Sequence, residues 1–469
     1  MSQPQIALSA LAKFRSSLAG SVLQPGDADY DNVRTVFNGL IDKHPAVIAR
    51  CRNEADIVSS IAFAREYGLE IAVRGGGHNV GGRASVEDGM MIDLSLMKVV
   101  SVDPATKRAV AQGGATWGDF NTATQQHGLA TTGGVISTTG IAGLTLGGGF
   151  GYLAGKYGLA CDNLVAATVV TAAGKVVRAS LDENPDLYWA LRGGGGNFGV
   201  VSSFEYSLHP VGPTIMAGVV AWHVSEAREV LRFYREFTKS CADEVACLAG
   251  IVPAPDGSGV KVALIGASHC GSLSDGEKAL RRIKERGSPL LDAIQPTRYC
   301  ELNSMFDPAY PKGMLHYWKS SFLNVLSDDF IDTMIGNLER CPSKDSNIFL
   351  ERWHGAAARV PQDKTAFPHR REGFNMALIS QWRDTATNPE NIAWARESYA
   401  AMEPFCAEAR YVNYLDQDDT SDIAGPFGSN YARLAKIKAT WDPGNVFHLN
   451  QNIQPASVPL PVEQPPSGF

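Results

Sequence analysis

The sequence predicts a two-domain α+β protein, and three observations carry that prediction. As far as Leu208, short apolar strands alternate with helical segments. The same stretch holds three glycine-dense blocks, whereas glycine thins out from Thr214 onward. There the chain changes to long strand-like segments with helices between them, the pattern of an antiparallel sheet covered by helices. At 469 residues, and with roughly 150 residues per domain, two or three packed units are expected.

In chain order, residues 46–50 read as a short strand and 53–67 as a helix with apolar spacing at Ile57, Ile61, Ala62 and Ala64. Gly68 stops the helix, and residues 69–73 form a strand feeding the glycine loop Arg74-Gly75-Gly76-Gly77-His78-Asn79. A β-α-β unit that ends in exposed backbone N–H groups is a physical anion receptor. The second glycine block, residues 133–158, leads into a strand, turn and strand over 164–179. The third, residues 193–199, lies between a helix at 186–191 and a strand at 200–208. Pro210 and Pro213 mark a boundary. Strands are expected at 216–224, 260–267, 317–325, 348–354 and 375–382, with helices at 274–285 and 328–338. A last helix, 431–441, is closed by Asp442-Pro443, and the proline-rich stretch 455–469 reads as a frayed tail.

Composition narrows the function. Forty-two Lys and Arg against 49 Asp and Glu, with no basic patch, give nucleic acid no electrostatic foothold. The eight cysteines include no Cys-x-x-Cys, so neither a disulfide framework nor a zinc site is indicated. No run approaches the roughly 18 apolar residues of a membrane helix, and the first twenty residues lack a signal-peptide core. A soluble cytoplasmic protein is expected, with its oligomeric state open. His127, His354 and His369 lack metal-ligand spacing and read as structural, and no metal is expected.

One G-x-G-x-x-G match exists, Gly194-Gly195-Gly196-Asn197-Phe198-Gly199, but a helix precedes it and a strand follows. The dinucleotide fingerprint needs the reverse order, so a Rossmann reading is rejected. Three such blocks beside β-α-β elements point to a large phosphate-bearing cofactor held by backbone N–H groups across several loops.

The residues themselves then carry a resemblance. The loop Arg74–Gly82, the runs Gln112–Ala115, Thr139–Gly143, Gly147–Gly151 and Trp189–Gly195, and the closing Tyr411-Val412-Asn413-Tyr414 and Asn450-Gln451 are similar to those of the berberine-bridge-enzyme-like FAD-linked oxidases. This is a branch of the vanillyl-alcohol-oxidase, or PCMH-type, superfamily. The match is strong over residues 43–210 and 410–455 and weak between. It implies an FAD-binding domain from residues 1–212 plus 410–455, a substrate domain at 213–409, and a tail at 456–469.

By that resemblance His78 bonds covalently to the flavin 8α-methyl group. Arg74, Gly75, Gly76, Gly77, Asn79, Gly81, Gly113, Gly133, Thr138, Thr139, Gly140, Gly143, Leu144, Gly147, Gly199, Val201 and Asn450 are expected to contact FAD. Thr139 takes the place associated with oxygen access. Many members add a cysteine tether, but that position is Ile136 here, as in the single-tether branch that includes 6-hydroxy-D-nicotine oxidase. Cys161, nearby, reads as a buried structural thiol. Tyr414 is the expected proton acceptor, ahead of Tyr411, with Asn413 orienting the site and Tyr411-Val412-Asn413-Tyr414 forming a strand. A phenol with an ordinary pKa near 10 needs help in that role. Tyr152, Trp318 and Gln381 are candidate substrate contacts. The implied activity moves hydride from an alcohol or amine carbon of a small molecule to flavin N5, with O2 as acceptor and H2O2 as product. A dehydrogenase, an oxidative cyclase of natural-product biosynthesis and a non-catalytic flavin-binding protein stand as alternatives.

Overall fold

In the computed structural model, which describes residues 6–254, 256–418 and 425–457, the expected strands Val47–Arg50 and Ile71–Arg74 both form, but they are not neighbours. Met90–Asp93 inserts between them, parallel to each, and Ser21–Leu23 adds an antiparallel edge. All four residues of the inserted strand are buried, as a central strand with both faces covered requires. The helix Glu54–Glu66 is capped by Asn53, whose side chain accepts from Asp56 N at 3.0 Å. It ends where Gly68 turns to φ +64°, a left-handed conformation cheap only for glycine.

A second sheet is wholly antiparallel, in the order Val100–Asp103, Arg108–Gln112, Val200–Ser207, Leu164–Val170, Val176–Ser180. The helices Pro185–Leu191 and Tyr431–Trp441 pack together on it and share its apolar cluster. The C-terminal helix is fastened by Lys438, fully buried, which donates to Asp442 Oδ2 at 2.5 Å, Asn197 O at 2.6 Å and Phe447 O at 2.9 Å. This bolts the returning chain to the third glycine block; removing one partner of such a buried pair costs about 3–5 kcal/mol.

The middle of the chain builds one large antiparallel sheet. Its order is Leu291–Asp292, Thr214–His223, Lys261–His269, Val245–Pro253, Asn347–Trp353, Gly373–Trp382, Leu315–Leu323. Strand alternation splits it into two faces. Val220, Trp222, Ala249, Ile265, Leu350 and Leu378 pack under the helices Ala227–Thr238, Leu273–Lys284, Asp328–Glu339 and Asn388–Met402. Their strand neighbours Val219, Leu248, Leu264, Phe349 and Ile379 face the other way, into a cavity. The strand Val245–Pro253 and the helices 227–238 and 388–402 were not foreseen. Of the expected proline-rich tail, residues 458–469 lie outside the described residues.

Candidate active site

The cavity, of about 620 Å³, lies between this sheet as roof and the glycine loops as floor. That volume falls within the range of cofactor and small-molecule sites. The floor rests on Arg74, whose guanidinium grips buried Asp93 at 2.9 and 2.7 Å and also donates to Val33 O. Two strand ends are thereby pinned side by side, and the loop leaving Arg74 starts from a fixed point.

The glycines do two different jobs. A Cβ on Gly76 would strike the Gly140 backbone, and one on Gly140 would strike Gly76, so here two loops touch main chain to main chain. A Cβ on Gly151 would overlap Gly133 O, and one on Gly147 would overlap Asn413 Oδ1. These positions need glycine for packing between loops. Gly143 differs: among the described residues nothing lies within 4 Å of its missing Cβ, and it lines the cavity.

Many expected site residues line this one cavity: Gly75, Gly76, Gly77, His78, Asn79, Thr139, Gly140, Gly143, Leu144, Gly147, Gly199, Val201 and Asn450 from the floor, with Trp318 and Gln381 from the roof. Others do not. Arg74 is spent on Asp93. Gly81 packs on the Asp416–Gln417 backbone, Gly113 on Val201 O and Gly133 on the Trp117 ring, while Thr138 is exposed outside the lining. Tyr152 turns away into a cluster with Ala130, Val211, Ile215 and Tyr299. Cys161 is fully buried beside Leu159 and Trp353, with its thiol pushed up by desolvation, whereas Ile136 lines the cavity. His369 and His354 meet the carbonyls of Pro426 and Ala242.

Residues 411–414 form a turn of 3-10 helix, Val412–Tyr414, instead of the expected strand. The tight turn sends the two tyrosines to different partners. Tyr411 is buried, and its hydroxyl oxygen receives N–H donors from Gly149 at 3.0 Å, Phe150 at 3.1 Å and Asn413 Nδ2 at 3.0 Å. Asn413 Nδ2 also donates to Leu144 O at 3.0 Å. Both residues therefore clamp the turn to the second glycine block.

Tyr414 instead donates its hydroxyl to Glu351 Oε1 at 2.9 Å. Glu351 is 1 % exposed, and Asn375 Nδ2 donates to its other oxygen at 2.8 Å. Burial drives its carboxyl up to about 7, against the pull of the hydrogen bonds from Asn375 and Tyr414. Burial, and the facing carboxylate, push Tyr414 well above its ordinary range. Sequence reasoning missed Glu351. The signal was a lone acid on the strand Asn347–Trp353, on the same face as Asn347 and Phe349.

His78 sits in the floor with its ring stacked on Phe37, centroids 3.9 Å apart, and burial holds its imidazole down at about 4. It is therefore neutral, and its Nε2 is buried without a hydrogen-bond partner among the described residues. A neutral imidazole lining the same cavity as the open Gly143 fits a flavin held there.

Comparison with known proteins agrees with this geometry. Residues 45–180 match the family model described as an FAD binding domain, and residues 410–454 match "Berberine and berberine like". The chain is 31 % identical to (R)-6-hydroxynicotine oxidase of Paenarthrobacter nicotinovorans, covering 94 % of this chain and 97 % of that one. It is 38 % identical to an FAD-linked oxidoreductase of Aspergillus terreus, over 95 % and 96 %. Among solved structures, 6-hydroxy-D-nicotine oxidase of Arthrobacter nicotinovorans superposes with a TM-score of 0.86 at 30 % identity, covering 94 % of this chain and 98 % of that one. Xylooligosaccharide oxidase of Myceliophthora thermophila shares the fold, with a TM-score of 0.84 at 23 % identity over 96 % and 100 %.

Proposed function

We propose, from the premise that this chain belongs to the berberine-bridge-enzyme-like family of FAD-linked oxidoreductases, that it oxidises an alcohol- or amine-bearing carbon of a small organic molecule with O2. For an alcohol the balance is R2CHOH + O2 giving R2CO + H2O2. His78 is the covalent anchor of FAD in this reading, and Ile136 leaves it the single tether. FAD held there would supply the hydride acceptor at N5 and the route by which O2 takes up the electron pair.

The observation that carries the reading is the 2.9 Å bond from Tyr414 to Glu351. A buried phenol held well above pH 10 is a poor base alone. Coupled to a carboxylate poised near 7, it can accept the substrate hydroxyl proton while handing its own proton to Glu351. Tyr411 and Asn413 hold the turn that presents Tyr414, and Trp318 meets its ring edge-on at 5.7 Å. Gln381 and the apolar roof then set which molecule fits. We further assign residues 1–212 and 410–455 to the FAD domain and 213–409 to the substrate domain. The eight free thiols support a reducing, cytoplasmic setting.

The test is a panel of alcohols and amines assayed in parallel for peroxide release and for dye reduction without oxygen. Peroxide stoichiometric with product supports the oxidase; dye reduction with no peroxide makes the protein a dehydrogenase. Unchanged redox activity in Tyr414→Phe would remove Tyr414 from the chemistry.

A further inference from the structure

Residues 37–39 belong to no helix or strand and to none of the motifs that identified the chain, yet they are built into its interior. Asn38 is fully buried and uses its whole hydrogen-bonding capacity. Its Nδ2 donates to Val80 O at 2.8 Å and His316 O at 2.9 Å, and its Oδ1 accepts from Leu40 N at 3.0 Å and His316 N at 2.9 Å. On one side of it, Phe37 N donates to Gly77 O at 2.9 Å. On the other, Gly39 N donates to Met314 O at 2.8 Å, and a Cβ on Gly39 would overlap Gly313 O. The segment thus ties the loop on both sides of His78, through Gly77 and Val80, to the start of the roof strand at His316.

The rings follow the same path. Phe37 stacks on His78 at 3.9 Å and 16°, and on His316 at 4.7 Å and 21°. His316 Nδ1 accepts from Trp318 Nε1 at 3.2 Å, so the second imidazole is itself fixed in orientation. A fully satisfied buried amide between two segments is a rigid fastener, and a stacked ring leaves an imidazole little freedom to tilt.

Resting on the reading of His78 as the FAD anchor, we propose that residues 37–39 are the buckle that aligns the His78 imidazole for covalent attachment, with Phe37 as its contact surface and Asn38 as its fastening. Joining an imidazole nitrogen to the 8α carbon exchanges one N–H and one methyl C–H for the new N–C bond. The electron pair leaves through the flavin to O2, which departs as H2O2. Phe37 and Asn38 take no part in that exchange; they are positioning residues. Orientation alone is worth orders of magnitude in rate, so loosening it should show in how fast the adduct forms.

The experiment follows adduct formation without any substrate. Wild type, Phe37→Leu, Asn38→Ala and His78→Ala are purified, supplied with FAD, sampled over time and acid-precipitated. Flavin in the pellet and the mass of the His78 peptide are recorded, alongside thermal melting and the affinity for unattached FAD. We expect complete attachment in wild type, none in His78→Ala, and attachment about tenfold slower in Phe37→Leu with melting and FAD affinity retained. Wild-type attachment rates in folded Phe37→Leu overturn the inference, and Phe37→Leu decides it even where Asn38→Ala does not fold. Wild-type protein that forms no adduct sinks the anchor reading and this inference together, an outcome visible in the first control.

Discussion

Floor and roof of the cavity are made by opposite means. The floor is largely main chain: Gly76 meets the Gly140 backbone and Gly151 the Gly133 carbonyl, while Gly147 leaves room for the Asn413 amide. The roof is side chain: one face of a large antiparallel sheet offers Val219, Leu248, Leu264, Phe349, Ile379 and Gln381 in alternation. A backbone surface tolerates almost no added atom, because main chain cannot rotate out of the way. A side-chain surface can be re-cut one residue at a time. The difference explains how one scaffold could keep its cofactor and change its substrate.

The sharpest way to break this contrast is at the floor. Gly151→Ala and Gly76→Ala each place a methyl group into backbone, so loss of folded, flavin-bearing protein is expected, at a cost of about 3 kcal/mol or more in melting experiments. Near-normal yield and colour would show that the floor yields after all.

Next in size is Tyr414→Phe. Turnover should fall about 10²–10⁴-fold, while the flavin stays in the acid-precipitated pellet. Glu351→Gln follows, with a loss of about 10–100-fold and a distinctive pH signature. The carboxyl must be ionised to take the tyrosine proton, so wild-type kcat/KM should rise with pH through about 7, the value to which burial lifts Glu351. In Glu351→Gln that rise should vanish. Its persistence would assign the titration to another group.

Smaller effects belong to the roof. Phe349→Ala should change KM or substrate preference by about tenfold, since one buried apolar contact is worth only about 1–3 kcal/mol. Smallest of all, Cys161→Ala should leave covalent flavin unchanged, read as the mass of the flavin peptide. Any adduct on Cys161 would contradict its place behind the cavity wall.

How far the sequence spoke follows the same division. The floor was legible because glycine is a local statement: its density, and the order of strand and loop around Arg74–Asn79, can be read without knowing the partners. Yet glycine does not say what approaches it, and so Gly81, Gly113 and Gly133, which meet protein, looked the same as Gly143, which faces the cavity. Tyr414 was placed ahead of Tyr411 only through the resemblance; the physical difference between them lies in partners, three N–H groups for one and a carboxylate for the other, which no local pattern carries. Glu351 is 63 residues from Tyr414 in the chain, and Asn38 is 278 from His316; pairings at such distance leave no local periodicity to read.

The proposed proton pair also divides along this line. Tyr414 arrives on the segment that returns to the floor, and Glu351 hangs from the roof. The same returning segment reaches the roof again two residues on, where Trp318 N donates to Asp416 at 2.9 Å. Phenol and carboxylate are thus two halves of one interlock. Lift the roof and the phenol loses its acceptor; in the proposed reading the proton pair exists only while the roof is seated. If the proposed reading holds, readiness to react reports on whether the two halves are joined, and a variant that slackens their seam would fall silent with Tyr414 and Glu351 both still present.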